Sequence, residues 1–458
     1  MLDSSIKMKK TILIIGDVIL LYFSLWLTLI IRYGNANLWT QHLLPFSIIY
    51  GVGLIIFYIN GLYELDFGKN KSALLNKVII SLLFNTLIAT TFFYFGSQRF
   101  FTIKPQRVLL FDILFICAFL ILWRLYINRF ITSTKHAANL LVIGNNPLAA
   151  NIIRKVLDKP QLGFSLKAVL QTQDFTDTLP SRIFTFKDHN QLLNVCETYN
   201  INTILFPESV KRDKEFLKNL FSCLSHNVSF YELSGFFEKM AGKIPVDFID
   251  HTWFLENLHE GPKKLYESIK RVFDIIFSIL AILITLPFIP FIVAAIVMDN
   301  PGPFLFKQVR VGKNGKKFLA MKFRTMKMDS EKSGPQWARK DDPRVTRVGK
   351  IFRKTRIDEI PQLINILRGE MSFIGPRPER PEFVEELKIQ IPFYEERLLI
   401  KPGLSGWAQV MGPSYGGSVA ETLEKIQYDL YYIKNRSFGL DVSIILKTIK
   451  TVLTGSGQ

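Results

Sequence analysis

Two adjacent carboxylates, Asp358 and Glu359, stand in a dense charged motif whose residue types suit group transfer. The motif occupies residues 353–363 and reads RKTRIDEIPQL. A carboxylate can attack phosphorus, and clustered arginine and lysine side chains can hold the charge that develops during the attack. A long apolar hairpin pattern lies just upstream. The combination indicates phosphoryl-group transfer at a bilayer surface.

The two carboxylates precede an amphipathic helical pattern in which Pro361 is tolerated only in the first turn. Asp358 could therefore be the N-cap of that helix, and the dipeptide alone favours this structural role. A helix N-terminus also attracts a phosphate anion. Because adjacent helical residues point about 100° apart, we expect different tasks for the two side chains. One can be a nucleophile, while the other binds a hard cation such as Mg²⁺ or handles a proton.

Basic side chains in two further motifs could bind phosphate. Lys322 and Arg324 follow a strand-like segment, and strand alternation predicts that they share one face, although a solvated basic strand would show the same pattern. Arg377 is more specific, because prolines on both sides in residues 375–378 (GPRP) stiffen the backbone around it. A bidentate arginine fixed in this way suits phosphate better than a mobile lysine.

A rigid turn rich in glycine and proline occupies residues 401–409 and reads KPGLSGWAQ. It presents an aromatic side chain, Trp407, and an amide, Gln409. These two side chains could stack on and bind a base or a sugar. Trp407 could equally belong to the core.

Composition limits the classes of function. The chain has 458 residues, 48% of them hydrophobic, and a net charge of +18 that is concentrated outside the apolar runs. A basic surface beside apolar segments suggests anionic lipid headgroups or phosphorylated substrates, and we find no pattern typical of nucleic-acid binding. The three cysteines are far apart, which predicts no disulfide framework and no Cys/His metal site. The soluble parts therefore suit a reducing compartment.

Four apolar segments of spanning length come first, near residues 11–31, 43–63, 76–95 and 108–127. The first is too long for a signal peptide and lacks a cleavage site, so we interpret it as a retained transmembrane helix. Nine lysine and arginine residues flank the spans on the side of the membrane that holds the N-terminus, and four flank them on the other side. This bias predicts a multi-pass membrane protein with the N-terminus and everything after residue 130 in the cytoplasm. Asp17 and Asp112 lie near span ends, where interfacial positions are favoured.

Residues 137–250 alternate between strand and helix patterns, which predicts a Rossmann-like cytosolic α/β domain. Strand-like runs occupy residues 139–144, 164–170, 201–206 and 228–233. In the first turn, Asn146 replaces the second glycine of the dinucleotide fingerprint, which is the one that lets backbone approach a pyrophosphate. A structural or regulatory role is therefore favoured over a nucleotide site.

The third part begins near residue 262 with a 24-residue uncharged run, 275–298. Pro287 divides the run into halves, each near the depth of one leaflet, and Pro290 adds a second break. Basic residues flank the run on both sides, and a re-entrant hairpin keeps both flanks in the cytoplasm. Ser278 or Thr285 could satisfy the carbonyls freed at the break. The predicted fold is thus membrane α plus α/β. It comprises a four-helix transmembrane bundle (1–133), the Rossmann-like domain, and an α-rich catalytic domain (262–458) with a re-entrant helix hairpin at about 270–298.

Residues 268–455 resemble the bacterial sugar transferase family, and the matching motifs stand in the order typical of that family. They are Lys270-Arg271-Val272-Phe273-Asp274, Gln308 to Gly312, Lys322 to Met326, Ile357 to Gln362, Met371 to Pro378, Lys401 to Gln409, and Asp441. The front end looks like the large-membrane branch of these monotopic phosphoglycosyl transferases. One departure is Leu286 before Pro287, where the family often has serine.

The resemblance implies an activity and roles for individual residues. A sugar-1-phosphate would pass from a UDP-sugar to undecaprenyl phosphate, with UMP released, as the priming step of exopolysaccharide, capsule or O-antigen synthesis. Asp358 would be the nucleophile and hold a covalent phosphosugar, and Glu359 would bind Mg²⁺ with it or assist the acceptor. Asp441 would complete the polar site, and phosphates would be held by Lys322, Arg353 and Arg377.

Two other classes of protein fit parts of the sequence. A membrane-anchored nucleotide-sugar dehydratase or epimerase also joins four spans to a Rossmann domain, and Tyr266 and Lys270 have its Tyr-x-x-x-Lys spacing. That interpretation leaves residues 300–410 unexplained. A non-catalytic scaffold for polysaccharide assembly would keep the basic surface without needing the Asp358 motif. The sequence leaves open the sugar, the polyprenol and the oligomeric state, for which a homodimer through the cytosolic domains is one arrangement.

Overall fold

The computed structural model describes most of the chain. The described residues are 2–35, 37–64, 71–96, 106–131, 137–144, 146–159, 162–171, 180–226, 228–258, 263–328, 330, 342–413 and 418–454. The chain divides into two compact units, Met1–Met240 and Ala241–Gln458. The domain limits drawn from the sequence at 133, 137, 250 and 262 stay predictions.

The first unit begins with four long apolar helices, which coincide with the four segments predicted from the sequence. They are α1 (Leu2–Tyr33), α2 (Trp39–Ile59), α3 (Lys71–Gly96) and α4 (Gln106–Ile131). Each is long and apolar enough to cross a membrane, and all four contribute to one core of aliphatic and aromatic side chains. The predicted orientation stays a prediction, since several of the flanking cations lie outside the described residues: Lys69, Arg99, Lys104 and Lys135.

Two acidic side chains are buried between these helices. Asp17 of α1 forms an ion pair with Arg124 of α4 and accepts a hydrogen bond of 2.8 Å from Tyr63. Asp112 accepts a hydrogen bond of 2.8 Å from Tyr50. Each carboxylate is at most 1% exposed. Partners far away in the chain thus hold both carboxylates inside the helix group. The interfacial depth favoured by the sequence stays a prediction.

The rest of the first unit is a five-stranded parallel sheet with helices, which confirms the predicted α/β character. The strands are β1 (Ala138–Ile143), β2 (Phe164–Leu170), β3 (Phe184–Phe186), β4 (Thr203–Phe206) and β5 (Ser229–Glu232), in the order β3-β2-β1-β4-β5. The helices are α5 (Pro147–Asp158), α6 (Leu192–Thr198), α7 (Lys214–Ser222) and α8 (Leu233–Ala241). Asn146 caps α5 by accepting from the amide of Ala149 at 2.8 Å. Asn145, in the predicted glycine-poor turn, lies outside the described residues.

The second unit is rich in helices. It contains α9 (His251–Asn257), α10 (Lys264–Thr285), α11 (Ile289–Asp299), α12 (Arg347–Thr355), α13 (Gln362–Arg368), α14 (Pro381–Gln390), α15 (Trp407–Met411), α16 (Val419–Asn435) and α17 (Phe438–Thr454). Strands β6 (Leu305–Val311) and β7 (Lys317–Phe323) form an antiparallel hairpin, and β8 (Ser372–Ile374) pairs in parallel with β9 (Gly403–Ser405). Side chains from several of these helices fill the main core, among them Ile426, Ile433 and Ile444.

A proline-rich break separates α10 from α11. The 3₁₀ turn Leu286–Phe288 contains Pro287, and Pro290 lies in the first turn of α11. Because proline has no amide hydrogen, the break leaves carbonyls to be satisfied. Thr285 donates to the carbonyl of Ala281 at 2.7 Å, four residues earlier in α10. Neither proline frees this carbonyl, so the predicted task of Thr285 stays a prediction. Ser278, the other predicted donor, is buried and has no hydrogen-bond partner among the described residues.

Both of these helices pack on the same part of the second unit. Ala281 and Ile282 of α10 lie against a cluster formed by β7 and α13. From α11, Ile292 and Ile296 lie against a cluster of β7 and α12. Ile360 belongs to both contact surfaces. The break therefore lets the two helices return to one small region of protein.

Removing Arg124 should destabilise the helices of the first unit, because Asp17 would be left buried without its counter-charge. We expect Arg124→Met to lower the free energy of unfolding in detergent micelles by roughly 3–5 kcal/mol, the usual effect of breaking a buried pair. Arg107, at the start of the same helix, is exposed and gives a matched control in Arg107→Met. Equal losses in the two variants would contradict the assigned importance of the pair.

Candidate active site

The two central carboxylates lie in a tight turn created by a left-handed residue. After α12, Arg356 has φ 60° and ψ 15°, a region that residues other than glycine rarely adopt. Such outliers gather at functional sites, where the surrounding structure holds them. The next residues, Ile357–Glu359, form a single 3₁₀ turn, and both acidic side chains of this turn are buried.

Asp358 does not cap the helix that follows. Pro361 immediately precedes α13 and makes no capping bond, whereas the sequence placed it inside the first turn. The amide of Ile360 donates to the carbonyl of Ile357 at 3.2 Å, so the 3₁₀ turn satisfies its own backbone. The capping role that the dipeptide alone favoured is therefore wrong, and the carboxylate of Asp358 is left for other contacts.

Three cations surround the carboxylate of Glu359. Its oxygen Oε1 lies 3.1 Å from Nζ of Lys322, 3.1 Å from Nη2 of Arg377 and 3.4 Å from Nη1 of Arg356. Burial alone would raise the pKa of Glu359, but the three cations outweigh it and hold the pKa well below its usual range. Glu359 is therefore a fixed anion that gathers residues from three separate motifs around one point.

Asp358 has the opposite electrostatic character. Burial raises its pKa, the charge of Glu359 adds to this rise, and Lys322 and Arg353 oppose it. Its oxygen Oδ1 is buried and has no hydrogen-bond partner among the described residues. Unpartnered buried polar atoms are rare in native proteins and call for an explanation. Two neighbouring carboxyls whose pKa values are pushed apart are typical of sites that divide chemical tasks between them.

Asn365 connects α13 to the strand that carries Lys322. Its amide nitrogen donates to the carbonyl of Leu319 at 2.8 Å, and its oxygen accepts from the amide of Met321 at 3.2 Å. Asn365 itself is fully buried in α13. These bonds fix β7 against α13, so that Lys322 faces Glu359. The sequence did not single out Asn365, because a lone asparagine in an apolar helix carries no chemical signature.

Arg353 and Arg324 lie near the turn but have other partners. Nε of Arg353 donates to the hydroxyl of Thr325 at 2.9 Å, and Asp358 is among the charges that act on Arg353. Arg324 is buried, and its guanidinium donates to the backbone carbonyls of Asn300 and Pro301. The predicted role of Arg324 as a phosphate ligand stays a prediction, and its contacts serve the segment that follows α11.

Trp407 and Gln409 have contacts within the protein. The indole nitrogen of Trp407 donates to the carbonyl of Gly242 at 2.7 Å, and the ring stacks on Tyr431 in the main core. The amide nitrogen of Gln409 donates to the carbonyl of Leu404 at 3.4 Å. These contacts match the core alternative that the sequence left open for Trp407. The part of both residues in substrate binding stays a prediction.

Asp441 lies in a second polar cluster with Lys270, Tyr266 and Tyr432. It accepts hydrogen bonds of 2.7 Å from each tyrosine, and Nζ of Lys270 lies 3.2 Å away. Lys270 also donates to the carbonyl of Ile374 at 2.8 Å, just before the loop that carries Arg377. The predicted part of Asp441 in the site around Glu359 stays a prediction.

Sequence reasoning missed several members of both clusters. Arg356 stood in the quoted motif without a role, although it contacts Glu359. Tyr432 attracted no attention, and only its spacing within an amphipathic helix could have marked it. Tyr266 and Lys270 entered as a pair with the spacing of a dehydratase or epimerase, and Nζ of Lys270 does lie 3.3 Å from the hydroxyl of Tyr266. Their partner Asp441 shows that the pair is part of a contact between α10 and α17.

A buried carboxylate pair ringed by lysine and arginine suits anionic ligands. The same chain carries helices that are long and apolar enough to cross a membrane. A family model for bacterial sugar transferases matches residues 265–455. An exopolysaccharide production protein of Rhizobium leguminosarum is 42% identical over 41% of this chain and 96% of its own length. The chain therefore belongs to the bacterial sugar transferase family.

Two further relatives carry names that specify an activity. A UDP-glucose:undecaprenyl-phosphate glucose-1-phosphate transferase of Caulobacter vibrioides is 38% identical over 46% of this chain and 80% of that protein. A UDP-N-acetylgalactosamine-undecaprenyl-phosphate N-acetylgalactosaminephosphotransferase of Aeromonas hydrophila is 42% identical over 53% of this chain. The match spans 56% of the length of the Aeromonas protein.

The low pKa of Glu359 predicts how its contribution to stability depends on pH. Because the folded-state pKa lies below the unfolded value of about 4.3, the charged carboxylate stabilises the fold fully above that value. The contribution is lost as the pH falls from there toward the folded-state pKa. We expect Glu359→Gln to lower the midpoint of thermal unfolding at pH 7, with a difference from the wild type that narrows below about pH 4. Glu382→Gln, at an exposed glutamate, is the control. A difference that stays constant with pH would contradict the assignment.

Proposed function

We propose that this protein transfers a sugar-1-phosphate from a UDP-sugar to undecaprenyl phosphate, as the priming step of exopolysaccharide, capsule or O-antigen synthesis. The products are UMP and an undecaprenyl-diphosphate sugar. The observation that carries the proposal is the buried, unpartnered oxygen Oδ1 of Asp358 next to several cations. Membership of the family and the activities in the names of the relatives from Caulobacter and Aeromonas support it.

In the first step, Oδ1 of Asp358 attacks the sugar-linked phosphorus of the UDP-sugar. A new oxygen–phosphorus bond forms, the bond to the UMP oxygen breaks, and UMP leaves with the bonding electron pair. In the second step, an oxygen of undecaprenyl phosphate attacks the same phosphorus and releases Asp358 as a free carboxylate. Because Asp358 holds the phosphosugar between the two displacements and UMP leaves before the acceptor attacks, the kinetics should be ping-pong.

The cations and Glu359 share the electrostatic work in this mechanism. Lys322, Arg353 and Arg377 would stabilise the charge on the transferred and leaving phosphates. Glu359 stays ionised because its pKa is low, so it is a poor proton acceptor at neutral pH. Its task in the proposed mechanism is to hold Lys322, Arg356 and Arg377 in place between turnovers.

We expect the two carboxylates of this site to suit Mg²⁺. The ion usually binds through one or two carboxylates plus substrate phosphates. Asp358 and Glu359 are adjacent carboxylates, and the described residues contain no group of three or more histidine, cysteine or acidic side chains suited to a metal. Asp358 and Glu359 would therefore hold Mg²⁺ only together with phosphate oxygens. When bound, the ion would neutralise phosphate charge.

The proposed membrane arrangement delivers a lipid-linked acceptor to this turn. The packing of α10 and α11 on one region supports a re-entrant hairpin, since a straight helix over residues 264–299 would extend about 54 Å and separate its ends. Apolar side chains such as Leu283 and Phe291 are exposed on the helix pair and suit a lipid environment. We propose further that α1 to α4 form a four-helix transmembrane bundle in the inner membrane. The Rossmann-like domain and the catalytic domain would both face the cytoplasm.

Release of UMP from a panel of UDP-sugars tests the proposed reaction. With purified protein, Mg²⁺ and undecaprenyl phosphate, we expect one donor to give UMP and Asp358→Asn to abolish its release. The panel includes glucose, galactose, N-acetylglucosamine and N-acetylgalactosamine donors. The control, Glu382→Gln, keeps full activity because this glutamate is exposed. Activity that survives Asp358→Asn would exclude the covalent mechanism, and no UMP from folded protein with any donor would favour the scaffold function.

Labelling of single cysteines tests the hairpin. After replacement of the native cysteines by serine, Ser268→Cys and Lys307→Cys report on the two ends of α10 and α11, where both positions are exposed. A re-entrant hairpin predicts that a membrane-impermeant maleimide labels both in inverted vesicles and neither in intact spheroplasts. Asn35→Cys, between α1 and α2, should show the reverse pattern. Labelling of the two hairpin positions from opposite sides would show a spanning helix instead.

A further inference from the structure

The loop that carries Arg377 has its backbone carbonyls from residue 376 to residue 379 occupied by donors from other elements. Strand β6 and the amide of Gly403 supply three of these donors, at 2.8–3.1 Å. The remaining carbonyl, that of Arg377 itself, accepts from Nη2 of Arg397 at 2.9 Å. The loop is therefore held at every one of these residues, and a charged side chain holds it at the residue that contacts Glu359.

Arg397 is buried at a junction of three partners. It lies in the 3₁₀ turn Glu395–Leu399 and is 7% exposed. Its Nη1 donates to the hydroxyl of Tyr394 at 2.8 Å, and its Nη2 lies 3.0 Å from Oδ2 of Asp429 in α16. Asp429 is itself buried, so the pair has lost hydration on both sides. A hydrophobic pair of similar volume would stabilise the fold at least as well as this ion pair. Such a pair could not donate the hydrogen bond to the loop.

The guanidinium of Arg377 depends on the backbone for its position. Its side chain is 40% exposed, and its ion pair at 3.1 Å is with Glu359. A long side chain with one anchoring contact can reach many positions unless its main chain is fixed. The hydrogen bond from Arg397 fixes the main chain at this residue, since it ends on the carbonyl of Arg377.

We propose that Arg397, neutralised by Asp429, is a positioning residue that sets the backbone at Arg377 and thereby directs its guanidinium toward a bound phosphate. The assignment rests on the proposed function, in which Arg377 binds phosphate of the donor. Arg397 makes no contact with substrate in this role. It acts through the loop, and the elements that support it, α16 and the turn 395–399, lie outside the motifs that carry the chemistry.

A double-mutant cycle tests the assignment. Lysine keeps the charge of Arg397 but lacks the planar fork that reaches several acceptors at once. We expect Arg397→Lys to lower kcat/KM for the UDP-sugar by roughly 10–100-fold, as loss of a supporting hydrogen bond does at other sites. In the Arg377→Gln background the same change should have little further effect, because the group being positioned is absent.

The matched control is another buried arginine of the same unit. Arg436 is paired with Glu267 of α10 at 2.8 Å and donates to the backbone carbonyl of Ile433 in α16. Arg436→Lys should lower the thermal unfolding midpoint about as much as Arg397→Lys does. Any loss of activity caused by Arg436→Lys should be the same factor in the wild-type background and in the Arg377→Gln background. If Arg397→Lys does not fold, Asp429→Asn replaces it in the cycle.

Binding of inorganic pyrophosphate separates failure of this inference from failure of the proposed function. The dissociation constant of pyrophosphate is measured by thermal shift for the wild type, for the Arg397→Lys and Arg377→Gln variants, and for the double variant. Loss of affinity in Arg397→Lys that disappears in the Arg377→Gln background supports the assignment, even if no UDP-sugar is turned over. Equal factors in the two backgrounds, for turnover or for pyrophosphate, would show that Arg397 is only structural and would overturn it.

Discussion

The buried charge of Glu359 is the constraint on which the rest of the site depends. An anion that has lost its water must have cations close by. The chain meets this requirement with Lys322 from β7, Arg356 from the left-handed turn and Arg377 from the proline loop. Because one anion binds all three, segments distant in sequence converge there. Asp358, one residue earlier, occupies the same charged surroundings without making those contacts.

The chemical motifs and the main elements were predictable because their signals are local. Hydropathy located α1 to α4, and alternation of strand and helix patterns located most of the parallel sheet. Strand β3 was missed, since Phe184–Phe186 is too short to show a period. The pairing of Asp17 with Arg124 and the contact of Asp441 with Tyr266 were not predictable, because both depend on contacts between residues far apart in the chain.

The helix pair α10 and α11 is joined to the site by polar contacts as well as apolar ones. Arg271 donates to the last carbonyls of α13, with one bond of 2.7 Å to Leu367. Asp274 accepts from the hydroxyl of Ser372 at 3.1 Å. These hydrogen bonds connect α10 to the segment between α13 and the loop of Arg377. Polar and apolar contacts therefore connect the apolar helices to the elements around the charged turn within the second unit.

The occupied carbonyls of residues 376–379 have a consequence for selectivity. With those acceptors engaged, the loop presents mainly the guanidinium of Arg377, which can only donate hydrogen bonds. A donor-only group recognises the phosphate common to all nucleotide sugars and distinguishes poorly between one hexose and another. Under the proposed function, the choice of sugar must therefore arise in other segments.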